Sequence, residues 1–141
     1  MLVLDTDVLT IVQRASGEEY DRLVARLDAA PSQPVCVTIV SFEEQMRGWL
    51  ASIAAAKSLE RQIVAYSKLR ELLEDFQSRP ILDFDEHAAT VFRRLLKQRI
   101  RIGTMDLKIA AITLAQNATL ISRNLAHFRK VSGLSAEDWT V

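Results

Sequence analysis

The chain has 141 residues, 49% hydrophobic and 26% charged, and its eighteen basic and eighteen acidic residues give a formal net charge of zero. That length suits one compact domain and not two, and the composition excludes a disordered or low-complexity polymer. Without net charge there is no global field to recruit a polyanion, so nucleic acid would have to use a local basic patch.

Cys36 is the only cysteine, which rules out an intrachain disulfide and fits a reducing cytoplasm. The opening Leu2-Val3-Leu4-Asp5 is too short an apolar run, and too soon charged, for a secretory leader. Lys or Arg interrupts every helix-like segment before the ~20 apolar residues of a membrane span accumulate. A soluble, cytoplasmic protein is expected.

Met1–Leu4 reads as a buried strand that ends in the polar turn Asp5-Thr6-Asp7. Glu18–Ala30 places Tyr20, Leu23, Val24 and Leu27 at helical spacing and stops at Pro31. The β-branched run Val35–Val40 predicts a second strand. Ser41 then opens a helical region to about Ser78, long enough to predict an antiparallel pair that breaks near Ser52–Ser58. Pro80–Phe84 reads as a third strand, and Asp85 as the N-cap of a helix from Glu86 to about Gln98. Gly103-Thr104 introduces a helix over Met105–Gln116 with Ile109, Ala110, Ala111 and Ile112 inward. Thr119–Ser122 is a fourth strand, and Trp139–Val141 a candidate last one. Short apolar strands alternating with helices predict an α/β domain with a parallel sheet, whose working groups gather at the carboxyl ends of the strands.

Three acids fall at that edge. Asp5 follows the first strand, Glu44 lies one turn beyond the second, and Asp106 sits in the first turn of the helix after Gly103. Asn124 follows the fourth strand. Two carboxylates ~4 Å apart repel by roughly 4 kcal/mol at an effective dielectric of 20, and a hard divalent cation reverses the sign of that interaction. Oxygen ligands suit Mg²⁺ or Mn²⁺, and an ion held this way can activate water against a phosphodiester. Each acid also has a purely local explanation: Asp5 as a turn residue, Glu44 as the partner of Ser41 in a capping box, Asp106 as a favourable charge at a helix N-terminus. There is no zinc-ligand spacing and no Gly-rich phosphate loop, and His87 and His127 signal no nucleophilic catalysis.

In order and spacing, four segments resemble the PIN-domain nucleases, and within them the VapC-type toxins of toxin–antitoxin pairs. They are Leu4–Leu9, Thr38–Gly48, Gly103–Ala111 and Ser122–Leu134. The resemblance implies a three-layer α/β/α fold with a short parallel sheet, formed by residues 1–141 as a single nuclease domain. It also implies Mg²⁺- or Mn²⁺-dependent endoribonuclease activity, an RNA substrate, a homodimer, and inhibition by a small cognate antitoxin. Asp5, Glu44 and Asp106 match the metal-binding acids, and Asn124 is the fourth member of the catalytic set. Asp7 stands where Asn is more usual, Asn124 where the family carries Asp or Asn, and His127 where an acid is frequent. With fewer acids on that side, one-ion chemistry competes with two-ion chemistry.

Two alternatives remain at this level. The strand followed by Asp5-Thr6-Asp7 also resembles the nucleophile motif of haloacid-dehalogenase-like phosphatases, although Leu9 stands where that motif wants Thr or Val and the late paired acids are missing. The other is a PIN-like scaffold without catalysis. Arg93, Arg94, Lys97, Arg99 and Arg101 form either a phosphate guide beside Asp106 or a solvated helix face. Trp49, Leu50 and Ile53 are either a dimer or antitoxin surface or intrachain core, while His87 and Cys36 read as structural.

Overall fold

The computed structural model describes residues 1–141. Five parallel strands form one sheet in the order β3-β2-β1-β4-β5. They are β1 (Leu2–Leu4), β2 (Val35–Thr38), β3 (Ile81–Leu82), β4 (Thr119–Ile121) and β5 (Ser135–Glu137). Side chains on a strand alternate between faces, and here both faces are covered. Leu2, Leu4, Val37 and Ile121 enter one apolar cluster, while Val3 and Leu120 enter the other. Helices α1 (Thr6–Arg14), α2 (Glu18–Asp28) and α4 (Leu59–Gln77) bury apolar residues in the first cluster. Those of α5 (Glu86–Lys97) and α6 (Thr104–Ala115) line the second. This is the expected α/β/α layering, and no helix is long and apolar enough to cross a membrane.

The first half of the chain builds outward from β1 to β2 and β3, and the second half returns to the other side of β1 as β4. The reversal lies between β1 and β4, which pair in the register Leu2↔Thr119 and Leu4↔Ile121. In open α/β sheets the crevice beyond the strand ends at such a switch point is where ligands bind. Asp5 leaves β1 on one side of it and Ser122 leaves β4 on the other.

Several local expectations are corrected. Asp5-Thr6-Asp7 is not a free turn, because α1 starts at Thr6 with Asp5 as N-cap and buries Val8, Leu9 and Ile11. β2 stops at Thr38, two residues early, because the Thr38 side chain caps α3 (Ile39–Ala55) by accepting from the Ser41 N–H at 3.1 Å. That displaces the Ser41–Glu44 capping box: Ser41 already lies inside the helix, and Glu44 is left to bond elsewhere. The break in the long helical region falls inside the expected stretch, at Ala56–Ser58, where Ser58 caps α4. Leu50 on α3 is exposed, while its neighbour Trp49 packs against the core.

Trp139–Val141 is not a strand. The ladder beside β4 is taken by Ser135–Glu137, and Trp139 is instead buried in the α1/α2 layer. Its indole N–H donates to Glu137 Oε2 at 2.8 Å, and the Arg26 guanidinium lies over its ring. Burial of an aromatic mimicked the signal of a strand. A short helix α7 (Leu125–Phe128) follows β4 and plugs the fully buried Phe128 into the second cluster.

Leu120 lies in β4 between two partner strands and is fully buried. Leu120→Ala should destabilise the fold by about 2–5 kcal/mol, the usual cost of such a cavity, read as a lower midpoint in urea unfolding. Leu59→Ala, at a position 72% exposed, should change stability by less than about 0.5 kcal/mol.

Candidate active site

The acids expected from the sequence stand on three separate junctions at one edge of the sheet: Asp5 at the end of β1, Glu44 one turn into α3, Asp106 in the first turn of α6. Asp5 is the anchor, only 5% exposed. The Thr6 N–H donates to its Oδ1 at 2.8 Å and the Ser122 hydroxyl to its Oδ2 at 2.8 Å. Thr6 serves a second acid, since its hydroxyl donates to Glu44 Oε1 at 2.7 Å and meets Ser41 Oγ at 2.8 Å. One residue thus ties the start of α1 to α3. Ser122 likewise receives the Asn124 N–H at 2.9 Å. The Asn124 amide lies 2.8 Å from His127 Nδ1, which in turn is 3.8 Å from Asp106 Oδ2. Asn124 therefore reaches the site through its neighbours Ser122 and His127.

The electrostatics carry the mark of uncompensated charge. Burial, with repulsion from Asp7 and a smaller push from Asp106, raises the Asp5 carboxyl from 3.8 to about 7 against its two hydrogen bonds. Glu44 is raised by burial, with Asp106, Glu43 and Asp7 adding to it against the Thr6 hydroxyl. Burial also raises Asp106, with Asp7 adding, and His127 partly offsets it. The acids therefore sense one another across the crevice. Asp7, at the rim, pairs through Oδ2 with Arg123 at 3.2 Å, and Arg123 also holds Glu19. The other oxygen, Asp7 Oδ1, is shut off from solvent with no hydrogen-bond partner.

These features fit a hard divalent ion. The donor set is oxygen-rich, its charge is unbalanced, and one buried lone pair has nothing to accept from. No three of the carboxylate and imidazole groups close on a common point as a ready-made cage. An ion here would be held by one or two carboxylates and its own waters, the habit of Mg²⁺.

The contributions of Thr6, Ser41 and Ser122 escaped the sequence. Hydroxyl residues beside strand ends are too common to single out, and only the fold shows which acid each one reaches.

A doubly covered parallel sheet with an acidic crevice at its switch point defines an α/β protein suited to divalent-cation chemistry. Residues 2–134 match the PIN domain model, and the chain belongs to the PIN-domain family. It is 36% identical over 141 residues to Ribonuclease VapC2 of Rickettsia felis, with 97% of this chain and 96% of that protein covered. Its fold is similar to a crystal structure of VapBC2 from Rickettsia felis bound to a DNA fragment from their promoter, at a TM-score of 0.71, 24% identity and 98% coverage of both chains. It is also similar to a toxin–antitoxin complex from Klebsiella pneumoniae, at a TM-score of 0.64, 18% identity and 95% coverage of both. The family replaces the phosphatase alternative. The geometry agrees, because both oxygens of Asp5 are bonded and Asp7 is engaged by Arg123.

A carboxyl whose folded-state pKa is raised stabilises the fold while protonated, and that stability is lost as pH climbs through the raised value. For Asp5 the loss runs from about pH 4 to pH 7 and beyond, and Glu44 and Asp106 act in the same direction. At pH 8 the Asp5 share is on the order of 3–4 kcal/mol. In EDTA, Asp5→Asn should therefore melt increasingly above the wild type as pH rises from 5 to 8. A gap that narrows over that range would contradict the assignment of Asp5 to the strained cluster.

Proposed function

We propose that the chain is a divalent-metal-dependent endoribonuclease and the toxin of a toxin–antitoxin pair. The observation that supports this is that Asp5, Glu44 and Asp106 stand at one edge of the sheet of a PIN domain, each carboxyl pushed towards the neutral form. The Rickettsia felis relative is named a ribonuclease, and the Klebsiella pneumoniae structure is described as a toxin–antitoxin complex. Asp5, Glu44 and Asp106 are the residues that would hold Mg²⁺ or Mn²⁺, with Asn124 completing the catalytic set. Such an ion supplies Lewis-acid polarisation of the phosphate and activation of water.

The chain's own contribution is placement. Ser122 and the Thr6 N–H fix both oxygens of Asp5, while the Thr6 hydroxyl fixes Glu44. Each donor favours the charged form of its acid against the burial that raises it, without a protein cation to neutralise it. Metal-free, the same pocket is a host for a guanidinium, which can pair in bidentate fashion with a carboxylate. An arginine from the antitoxin would occupy the site in this way.

A cleft of about 840 Å³ between α1, α3 and α4, lined in part by Gln13, Gln45, Trp49, Leu72 and Asp75, supports a second anchor for that partner. The antitoxin segment would lie against α3 and α4. The reading further places the chain in the cytoplasm as a homodimer, one nuclease unit per copy.

Asp106→Asn should lower RNA cleavage by about a hundredfold or more while the far-ultraviolet circular dichroism stays the same, and EDTA should stop the wild type. Wild-type cleavage by Asp106→Asn would remove that residue from the site. Inducing the chain alone should arrest growth of its host, with relief by Asp5→Asn or by co-expression of a short neighbouring gene whose product co-purifies. Harmless induction with no co-purifying small protein would end the toxin assignment and leave the nuclease one standing.

A further inference from the structure

One group beside the crevice is not an oxygen donor. Asp5, Asp7, Glu44 and Asp106 offer carboxylates and Asn124 an amide, whereas His127 brings an imidazole whose Nδ1 lies 3.8 Å from Asp106 Oδ2. The chain's other histidine, His87, is exposed in the first turn of α5.

The fold fixes the backbone that carries this ring. His127 is the third residue of α7, and the residue after it, Phe128, is wholly buried in the second apolar cluster. The His127 N–H donates to the Asn124 carbonyl oxygen at 3.2 Å, and the Lys130 N–H donates to the His127 carbonyl oxygen at 3.1 Å. The side chains are freer, with 47% of the His127 side chain and 28% of the Asp106 side chain open to solvent. Both have room to turn on a fixed base.

The ring also presents a lone pair. The Asn124 amide nitrogen meets Nδ1 at 2.8 Å. An amide N–H only donates, so in this contact Nδ1 is the bare nitrogen and the ring proton sits on Nε2. A bare nitrogen facing a carboxylate oxygen sets lone pair against lone pair, and a cation between them removes the conflict. Two donors each ~2.1 Å from one ion and at right angles to each other are ~3 Å apart. Closing the gap between Nδ1 and Oδ2 to that spacing needs a shift of about 1 Å.

Imidazole favours transition ions, while a set made only of carboxylates and water suits Mg²⁺. Resting on the metal-dependent reading of the crevice, we propose that His127 joins Asp106 as a metal ligand through Nδ1 and biases the site towards a transition ion such as Mn²⁺ over Mg²⁺.

The test is pulsed electron paramagnetic resonance of the Mn²⁺-loaded protein, purified without a histidine tag. A nitrogen bound to Mn²⁺ imprints a modulation on the spin echo that oxygen ligands do not supply. The wild type should show it, His127→Ala should lose it, and His87→Ala should keep it. Calorimetric titration gives a second readout. His127→Ala should weaken Mn²⁺ binding about tenfold or more and Mg²⁺ binding less than about threefold. His127→Asp, which returns an oxygen donor, should lower the preference for Mn²⁺ over Mg²⁺ by about the same factor. Mn²⁺ bound to the wild type without nitrogen modulation overturns the proposal, and so does modulation that survives His127→Ala. Equal losses of Mn²⁺ and Mg²⁺ binding in His127→Ala overturn the bias between the ions. A wild type that cleaves RNA with Mn²⁺ yet shows no nitrogen modulation defeats this inference alone. One that binds neither ion defeats the metal-dependent reading with it.

Discussion

Everything in the crevice depends on one buried carboxyl. Asp5 sits at the end of the central strand, almost wholly out of water, where an ionised group is costly unless something compensates it. The fold supplies two hydrogen bonds and no cation. The residues that make those bonds are the same ones that join the neighbouring elements: Thr6 links α1 to α3 through Glu44, and Ser122 links β4 to Asn124. The strain of the site and the alignment of the layers are thus two aspects of a single network. On the proposed nuclease reading, replacing the acid would relax the protein and disable it at once, the usual conflict between stability and activity.

The layering was legible in the sequence because both faces of a parallel sheet are apolar. Leu2-Val3-Leu4 and Val35–Thr38 read as uninterrupted hydrophobic runs, and Asp85 announced α5 by its capping chemistry. The three acids were legible because each stands at the end of a strand or near the start of a helix with a clear pattern. Helix α1 was lost because Asp-Thr-Asp has the composition of a turn, although Val8, Leu9 and Ile11 lie at helical spacing. Trp139 misled through burial without pairing. The hydroxyl partners of the acids could not be read, since Ser122 and Asp5 meet across 117 positions of sequence.

Charge is distributed as deliberately as the apolar residues. On the α3–α4 hairpin cations and anions pair at helical spacing, which favours solubility over attraction. The α5–α7 side keeps its cations unpaired, and the cleft by α1 satisfies its polar groups internally, with Gln13 bridging Gln45 and Asp75. The two sides of the molecule therefore offer different chemistry, one a set of unpaired cations and the other amides, a tryptophan and a carboxylate.

The pairing of β1 with β4 has a consequence for synthesis. The first strand made takes its place beside one of the last, Leu2 against Thr119, so the central strand has β2 on one side early but lacks β4 on the other until most of the chain has left the ribosome. A chain halted before Asp106 would carry Asp5 and Glu44 but neither the third acid nor the serine that steadies the first. Non-local pairing of this kind also slows folding. The order of translation itself thus keeps the crevice without one of its walls in any copy that ends before β4.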